Sequence, residues 1–385
     1  MDEGIERKST RLEDKKIALC VTGSIAAVES VKIARELLRH GAEVTCYMTR
    51  GAQDILHPNA MEFATGRKPI IRLTGELEHL KDFDLVVVAP ATANTLSKLA
   101  HGISDNPVTA LVLSSSCTVI IAPAMHKEMY DNPTLLKNLE RLKTLYLVVG
   151  PMLQEGTAKL ASVDSVVDMA LFALTDKDMK SRKVLVTAGP TVEPIDPVRV
   201  ITNRSSGKMG IALAKEARYR GAEVTLIYGP GCEEVPEHIN TIRVESAKEM
   251  AEVVKSQKGY NVCVAAAAVS DFTTKPKEKK IGSRKGAITL RLEPAPKILS
   301  MVKKEALKVG FKAEHNVSEE ELITSARALM AEYGLNLVVA NDVSKNVFGS
   351  DDAEIILVKK DTTLKLERMP KSEIARRVFD TLVNL

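Results

Sequence analysis

The sequence enters a strand, turns, runs through an amphipathic helix and enters a second strand twice, and this most constrains its fold. Val21-Thr22 is echoed by Val186-Thr187, and the string GAEVT stands at Gly41 and again at Gly221. Thr22 and Thr187 are 165 positions apart, whereas the two GAEVT strings are 180 apart, so the second unit inserts 15 residues between its first strand and its second. GAEVT is also a common way to leave a helix and enter a strand, so only architecture is drawn from it. The apolar runs Ile17–Thr22, Leu85–Ala89, Thr118–Ala122 and Leu145–Val149 alternate with helical stretches Ala26–Arg39, Thr95–Ala100 and Asp164–Leu174. Fully apolar strands alternating with helices predict parallel sheets covered on both faces. The second unit repeats the plan with strands at Asn261–Ala267, Val309–Phe311, Leu337–Ala340 and Ile355–Val358. Its helices are expected after Pro296, at Ser318–Tyr333 with Ser318 and Glu321 as a capping box, and from Lys371. The expectation is an α/β protein of two Rossmann-like, doubly wound domains, each binding a ligand beyond the carboxyl ends of its strands. Its boundaries are a polar leader 1–15, a first domain 16–176, a linker 177–182 and a second domain 183–385.

At 385 residues the chain suffices for two such domains. A net charge of +4 against 54 basic and 50 acidic side chains gives little electrostatic support for general nucleic-acid binding. No apolar run reaches membrane-spanning length and the polar N-terminus lacks a signal-peptide core, which predicts a cytoplasmic protein. Five scattered cysteines, Cys20, Cys46, Cys117, Cys232 and Cys263, without CxxC spacing indicate neither a disulfide framework nor a zinc site.

The insertion falls in the loop Ile195–Gly210, IDPVRVITNRSSGKMG. Ser205, Ser206 and Gly207 put small residues and free N–H groups where a helix begins, which favours anions. The loop is not a Walker A motif, since Lys208 is followed by Met209 and Thr202 stands where its first glycine would be. Ser-Ser-Gly alone reads as an ordinary cap; Arg199, Asn203, Arg204 and Lys208 around it read as a phosphate or carboxylate cradle. In the first unit the turns after strands carry Gly23-Ser24, Thr49 and Thr92-Ala93-Asn94, suited to a phosphate and a flat ring. There is no GxGxxG, so a mononucleotide is favoured over a dinucleotide. His79, in ELEHL, and the PAMH segment at Pro123 are candidate polar groups, or respectively a structural histidine and a helix start.

VTGSIAA at Val21, APATANTLSKLAHGISDN from Ala89 and PAMH at Pro123 resemble the flavin-dependent cysteine decarboxylases of coenzyme A synthesis. AGPTVEPIDPVRVITNRSSGKMG, AAVSDF, GFKAE and ANDVS resemble phosphopantothenate–cysteine ligases. The whole chain after the leader therefore resembles the bifunctional family that joins the two activities, an N-terminal flavodoxin-like flavoprotein domain followed by a ligase domain. Flavin prenyltransferases and peptidyl-cysteine decarboxylases resemble only the first half, and a nicotinamide dehydrogenase lacks its glycine fingerprint here. Some decarboxylase relatives are non-catalytic regulatory subunits, which leaves a flavoprotein half without activity as the alternative.

The resemblance implies that the first half binds FMN through Gly23, Ser24, Thr49, Thr92 and Asn94, and that His79 is the catalytic base, with a second catalytic pair, Asn203 and Lys280, in the ligase. Cysteine's thiol would be oxidised, carbon dioxide lost and the enethiol reduced to 4'-phosphopantetheine. His126 stands where the family has an asparagine facing the substrate carboxylate. The substrate flap at Gly150–Ser162 lacks the family's cysteine proton donor, so that either another group such as Lys159 or water takes that task, which is the preferred reading, or this half stops at the enethiol. In the ligase the resemblance puts the phosphorylated acid on Arg204, Ser205, Ser206, Gly207 and Lys208, and the acyl-nucleotide on Asn203. The nucleotide falls to Ala267, Asp271, Lys280, Lys297 and Phe311, with Lys279 a one-residue alternative to Lys280. Two lysines common in the helix before ANDVS have no match between Ser325 and Gly334. The implied reactants are 4'-phosphopantothenate, cysteine and a nucleoside triphosphate with Mg2+, the metal ligands being unspecified; similarity to microbial relatives implies CTP over ATP, and no residue of the sequence specifies the base. The implied assembly is a homo-oligomer: decarboxylase trimers with the flavin at subunit contacts, built into dodecamers, and paired ligase halves.

Overall fold

The computed structural model describes residues 6–154, 156–282, 286–346 and 349–384. The chain divides into two compact units, Met1–Thr175 and Asp176–Leu385.

In the first unit, β1 (Lys16–Val21), β2 (Glu43–Met48), β3 (Leu85–Ala91), β4 (Thr118–Pro123) and β5 (Leu147–Val148) form one parallel sheet in the order β2-β1-β3-β4-β5. This is the flavodoxin-like order, with its switch point between β1 and β3. All seven residues of β3 are buried, as a central strand covered on both faces requires. The helices α1 (Ser30–Arg39), α2 (Ala93–Ala100), α3 (Pro107–Ser114), α4 (Pro133–Lys143) and α5 (Val163–Leu174) flank it. The stretch expected as a helix from Ala26 begins as a 3-10 turn, Ile25–Glu29, before α1. Part of the leader is folded: Leu12 is buried, and the Lys8 N–H donates to the Arg39 carbonyl at 2.8 Å.

The second unit holds an eight-stranded sheet. Its strands are β6 (Lys183–Ala188), β7 (Glu223–Tyr228), β8 (Asn240–Arg243), β9 (Val262–Ala265), β10 (Leu307–Glu314), β11 (Leu337–Asp342), β12 (Asp352–Val358) and β13 (Thr363–Pro370), in the order β8-β7-β6-β9-β10-β11-β12-β13. The first six are parallel in the Rossmann order, and β12 and β13 extend the edge antiparallel. β13 was not foreseen, because TTLKLERM is polar and exposed at all but a few positions. On one face α6 (Lys208–Tyr219) and α9 (Lys371–Val383) pack together against Val186, Val264, Val309 and Val339. On the other, α7 (Ala247–Ser256) packs against Leu185 and Cys263, and α8 (Glu319–Tyr333) against Val338 and Ala340. Ser318 and Glu321 form the expected reciprocal capping box.

Two segments fold otherwise than expected. The segment after Pro296 is only a 3-10 turn, Ile298–Met301. The residues read as a linker, 177–182, are part of the second unit's fold: Met179 is buried in its core, Asp178 pairs with Arg220 at 3.0 Å, and the Lys177 ammonium donates to the Tyr219 carbonyl at 2.8 Å. One apolar residue inside a charged run is enough to anchor it. No helix among the described residues is long and apolar enough to cross a membrane.

Candidate active sites

Each sheet opens a cavity at the carboxyl ends of its strands. In the first unit it measures about 1140 Å³ and is lined by Gly23, Ser24, Thr49, Thr92, Asn94, His126 and Lys159 together. The turns after β1 and β2 nearly touch: a Cβ on Gly23 would lie 2.9 Å from the Gly51 carbonyl carbon, so the backbone is bare there. The hydroxyls are fixed by local N–H groups, Ser24 by that of Ala26 at 3.4 Å, Thr49 by that of Ala52 at 3.2 Å and Thr92 by that of Thr95 at 3.3 Å. Small residues, fixed hydroxyls and α2's N-terminus make a cradle that fits a phosphate-bearing flat cofactor.

The opposite wall is a small antiparallel sheet that the sequence did not reveal, since its strands are two or three residues long. Met125–His126 pairs with Thr157–Lys159, which pairs with Met152–Gln154. It places His126 opposite Thr157 and Lys159 opposite Met152, so the two expected substrate residues share one wall. Glu155 of the expected flap lies outside the described residues.

His79 does not line this cavity. It sits in the 3-10 turn Glu78–Leu80, which is held by the Tyr47 hydroxyl donating to the Glu78 carbonyl at 2.6 Å and by Ser114 donating to the His79 carbonyl. Thr74 donates its hydroxyl and its N–H to the Glu78 carboxylate and holds it at a pKa of about 2. The ring's Nδ1 is buried without a hydrogen-bond partner among the described residues.

The second cavity, of about 860 Å³, gathers Asn203–Lys208, Ala267, Asp271, Lys297 and Phe311. The inserted loop is a hairpin, Val192–Pro194 paired with Val200–Thr202. Its turn is organised by Asp196, whose buried carboxylate accepts the N–H groups of Ile281 at 3.0 Å, Val198 at 2.9 Å and Arg199 at 2.8 Å, and pairs with the Arg199 guanidinium at 2.7 Å. The Ile281 N–H first, then those of Val198 and Arg199, hold its pKa at about 2. Arg199 also donates to the Ile281 carbonyl at 3.0 Å, so the hairpin grips the basic run Lys275–Lys285. Arg199 is thus a brace rather than part of the cradle. Lys280, next to that grip, is exposed and does not line the cavity; Ser283, Arg284 and Lys285 of the same run lie outside the described residues.

Asn203 Nδ2 donates to the carbonyls of Ala268 at 3.0 Å and Val269 at 3.2 Å, joining the inserted loop to the AAVSDF turn. The serines do not cap α6. Its N-cap is Gly207, in the left-handed region at φ 89°, and Ser206 Oγ accepts the Lys208 N–H at 3.3 Å. A Cβ on Gly207 would meet the Tyr228 ring at 2.8 Å, and one on Gly210 would meet the Ala188 Cβ at 2.2 Å. Glycines thus let α6 start hard against β6. Lys297 pairs with Asp271 at 2.6 Å. Leu329, Glu332 and Tyr333 form the α8 wall where the resemblance would put lysines. Sequence reasoning missed Lys312, Asn341 and Lys371 on the cavity wall. Lys312 was signalled only by adjoining Phe311, and Lys371 by nothing local. Among the described residues no group of three or more His, Cys, Asp or Glu is placed to hold a metal ion.

Residues 5–174 match the family model described as Flavoprotein, and 179–385 that described as DNA/pantothenate metabolism flavoprotein C-terminal domain. The protein called Coenzyme A biosynthesis bifunctional protein CoaBC in Thermococcus kodakarensis is 49% identical over 97% of this chain and 96% of its own length. The chain belongs to the bifunctional coenzyme A biosynthesis family. The CoaBC protein of Methanocaldococcus jannaschii is 38% identical over 98% of the chain and 96% of its own length. A solved structure of the C-terminal domain of a CoaBC protein aligns with 54% of the chain and 97% of that domain, at 34% identity and a TM-score of 0.46. As a CoaBC family member the chain is a bifunctional enzyme, a flavoprotein decarboxylase joined to a ligase.

Proposed function

We propose that the second unit condenses 4'-phosphopantothenate with cysteine, using CTP and Mg2+, through an acyl-cytidylate. The first unit then decarboxylates phosphopantothenoylcysteine to 4'-phosphopantetheine with FMN. The observation that carries this reading is the meeting of Asn203, the α6 N-terminus and the Lys297–Asp271 pair in one cavity, apart from the hydroxyl-lined cavity of the first unit. Activating a carboxylate on a nucleotide's α-phosphate brings anions together, which N–H groups and ammoniums aimed into one cavity relieve.

Asn203 bridges the two loops between which the acyl-nucleotide forms, with Lys208, Arg204, Ser205, Ser206 and Gly207 receiving the acid. Ala267, Asp271, Lys297 and Phe311 receive the nucleotide. Lys280 acts from the basic run, gripped at Ile281, which suits a side chain brought over the nucleotide when it binds. Mg2+ would be held mainly by the nucleotide phosphates.

In the first unit Gly23, Ser24, Thr49, Thr92 and Asn94 would hold FMN, which when bound supplies a two-electron acceptor for the thiol. His126 orients the substrate carboxylate and Lys159 delivers a proton to the enethiol. His79 takes up a proton, imidazole being suited to that near neutral pH. Its position off its own chain's cavity suits trimers with the flavin at subunit contacts, in which His79 serves a neighbouring copy. A second reading, a flavin-binding half without catalysis, is favoured by the lack of cysteine in Gly150–Ser162. Turnover of phosphopantothenoylcysteine by the purified protein decides between them: phosphopantetheine as product supports the full reaction, and unchanged substrate refutes it.

A further inference from the structure

The ligation brings together two phosphorylated reactants, and the second cavity has cations on both sides of its sheet. Lys297 lies beside the 3-10 turn on the α7 face. Lys312 reaches Glu314 at 3.0 Å, and Glu314 accepts the hydroxyl of Ser325 of α8 at 2.8 Å, so its ammonium lies on that face too. On the opposite face stand Lys208 and Lys371, the first residues of α6 and α9. The topology explains their meeting. β11, β12 and β13 alternate in direction, so β13 is parallel to β11, and the helix after it starts at the same sheet edge as α6.

The turn between β11 and β12 draws the two lysines together. Lys208 Nζ binds the Asp351 carboxylate at 2.6 Å, the Lys371 N–H donates to the Asp351 carbonyl at 2.9 Å, and the Lys371 ammonium donates to the Ser350 carbonyl. The Asp351 side chain is 86% exposed, so it serves Lys208 as a counter-ion at the rim that a stronger anion can displace. Glu233 and Asp352 are the other carboxylates within electrostatic reach of Lys371. Burial and then the charge of Lys208 push the Lys371 ammonium below its ordinary pKa, against the opposing charges of Asp351, Glu233 and Asp352.

We propose that Lys371, acting with Lys208 across the Ser205–Gly207 turn, binds the terminal phosphate of the acid substrate and selects the phosphorylated acid over its dephosphorylated form. This rests on the ligase reading above.

The test is CTP-dependent pyrophosphate release by the full chain, with phosphopantothenate or pantothenate as the acid. In Lys371→Ala, kcat/KM for phosphopantothenate should fall about 10- to 100-fold, the range of a lost charge-assisted hydrogen bond. Pantothenate turnover and the KM for CTP should be unchanged, and Lys371→Arg should retain most of the preference for the phosphorylated acid. An equal loss for both acids, or a raised KM for CTP, overturns the proposal while leaving the ligase reading intact. Should the alanine variant fail to fold, Lys371→Gln measured with the same two acids replaces it. Wild-type protein that releases no pyrophosphate with either acid would instead overturn the ligase reading.

Discussion

Gly210→Ala places one methyl group where the second unit has no room for it. Ordinary propensity argues for the change, since alanine in a helix interior is favoured over glycine by up to about 1 kcal/mol. The packing argues against it more strongly. The new Cβ would lie 2.2 Å from the Cβ of Ala188 and 2.9 Å from its Cα. Carbon atoms pack at about 3.5–4.0 Å, so the first turn of α6 must retreat by roughly 1.5 Å from β6. Overpacking of this kind costs about 1–3 kcal/mol, which for a domain of this size lowers its melting temperature by about 2–4 °C per kcal/mol. The functional cost is larger, because the turn that moves carries Ser206, Gly207 and Lys208. A misplacement of about 1 Å in a positioned site costs on the order of 100-fold in rate. Decarboxylation of phosphopantothenoylcysteine by the same chain is the internal control, since the first cavity contains no residue of α6. The expected result is ligase turnover down on the order of 100-fold with decarboxylase turnover unchanged. Ligase activity at the wild-type level would refute the claim that the close approach of α6 to β6 sets the site.

Asn203→Ala should abolish cysteine addition while acyl-cytidylate either accumulates or fails to form, as read by quenched-flow mass analysis; unchanged overall turnover would remove Asn203 from the mechanism. His79→Asn should stop decarboxylation and leave ligation intact, and mixing it with a variant damaged only in the flavin cradle, such as Gly23→Val, should restore some activity if the imidazole serves a neighbouring copy. The Asp196 carboxyl is held at about 2 from an ordinary 3.8, so its stabilisation of the hairpin is complete above about pH 4 and is lost as the pH falls towards 2. Hydrogen exchange at Val198, Arg199 and Ile281 should therefore be flat from pH 5 upward once corrected for intrinsic rates, and Asp196→Asn should raise it at neutral pH.

The two-unit plan was legible because its strands are short, fully apolar runs such as Leu85–Ala89, and because the offset between the repeats isolates the inserted loop. Turn residues after strands led to most of the cavity linings, since a parallel sheet puts those turns at one edge. What stayed hidden depends on contacts distant in sequence. His126 and Lys159 are brought to one cavity wall by strands too short to show periodicity. Arg199, taken for a ligand residue, turns to Asp196 and Ile281 instead. Lys371 is brought to Lys208 only by the parity of strand reversals after β11, and nothing within a few residues of either lysine records that.

One chain is expected to carry both reactions through to the saturated thiol without a flap cysteine. Full-length protein supplied with 4'-phosphopantothenate, cysteine, CTP and Mg2+ should release one pyrophosphate per product and yield the mass of 4'-phosphopantetheine. A product two hydrogens lighter, or accumulation of phosphopantothenoylcysteine, would contradict it.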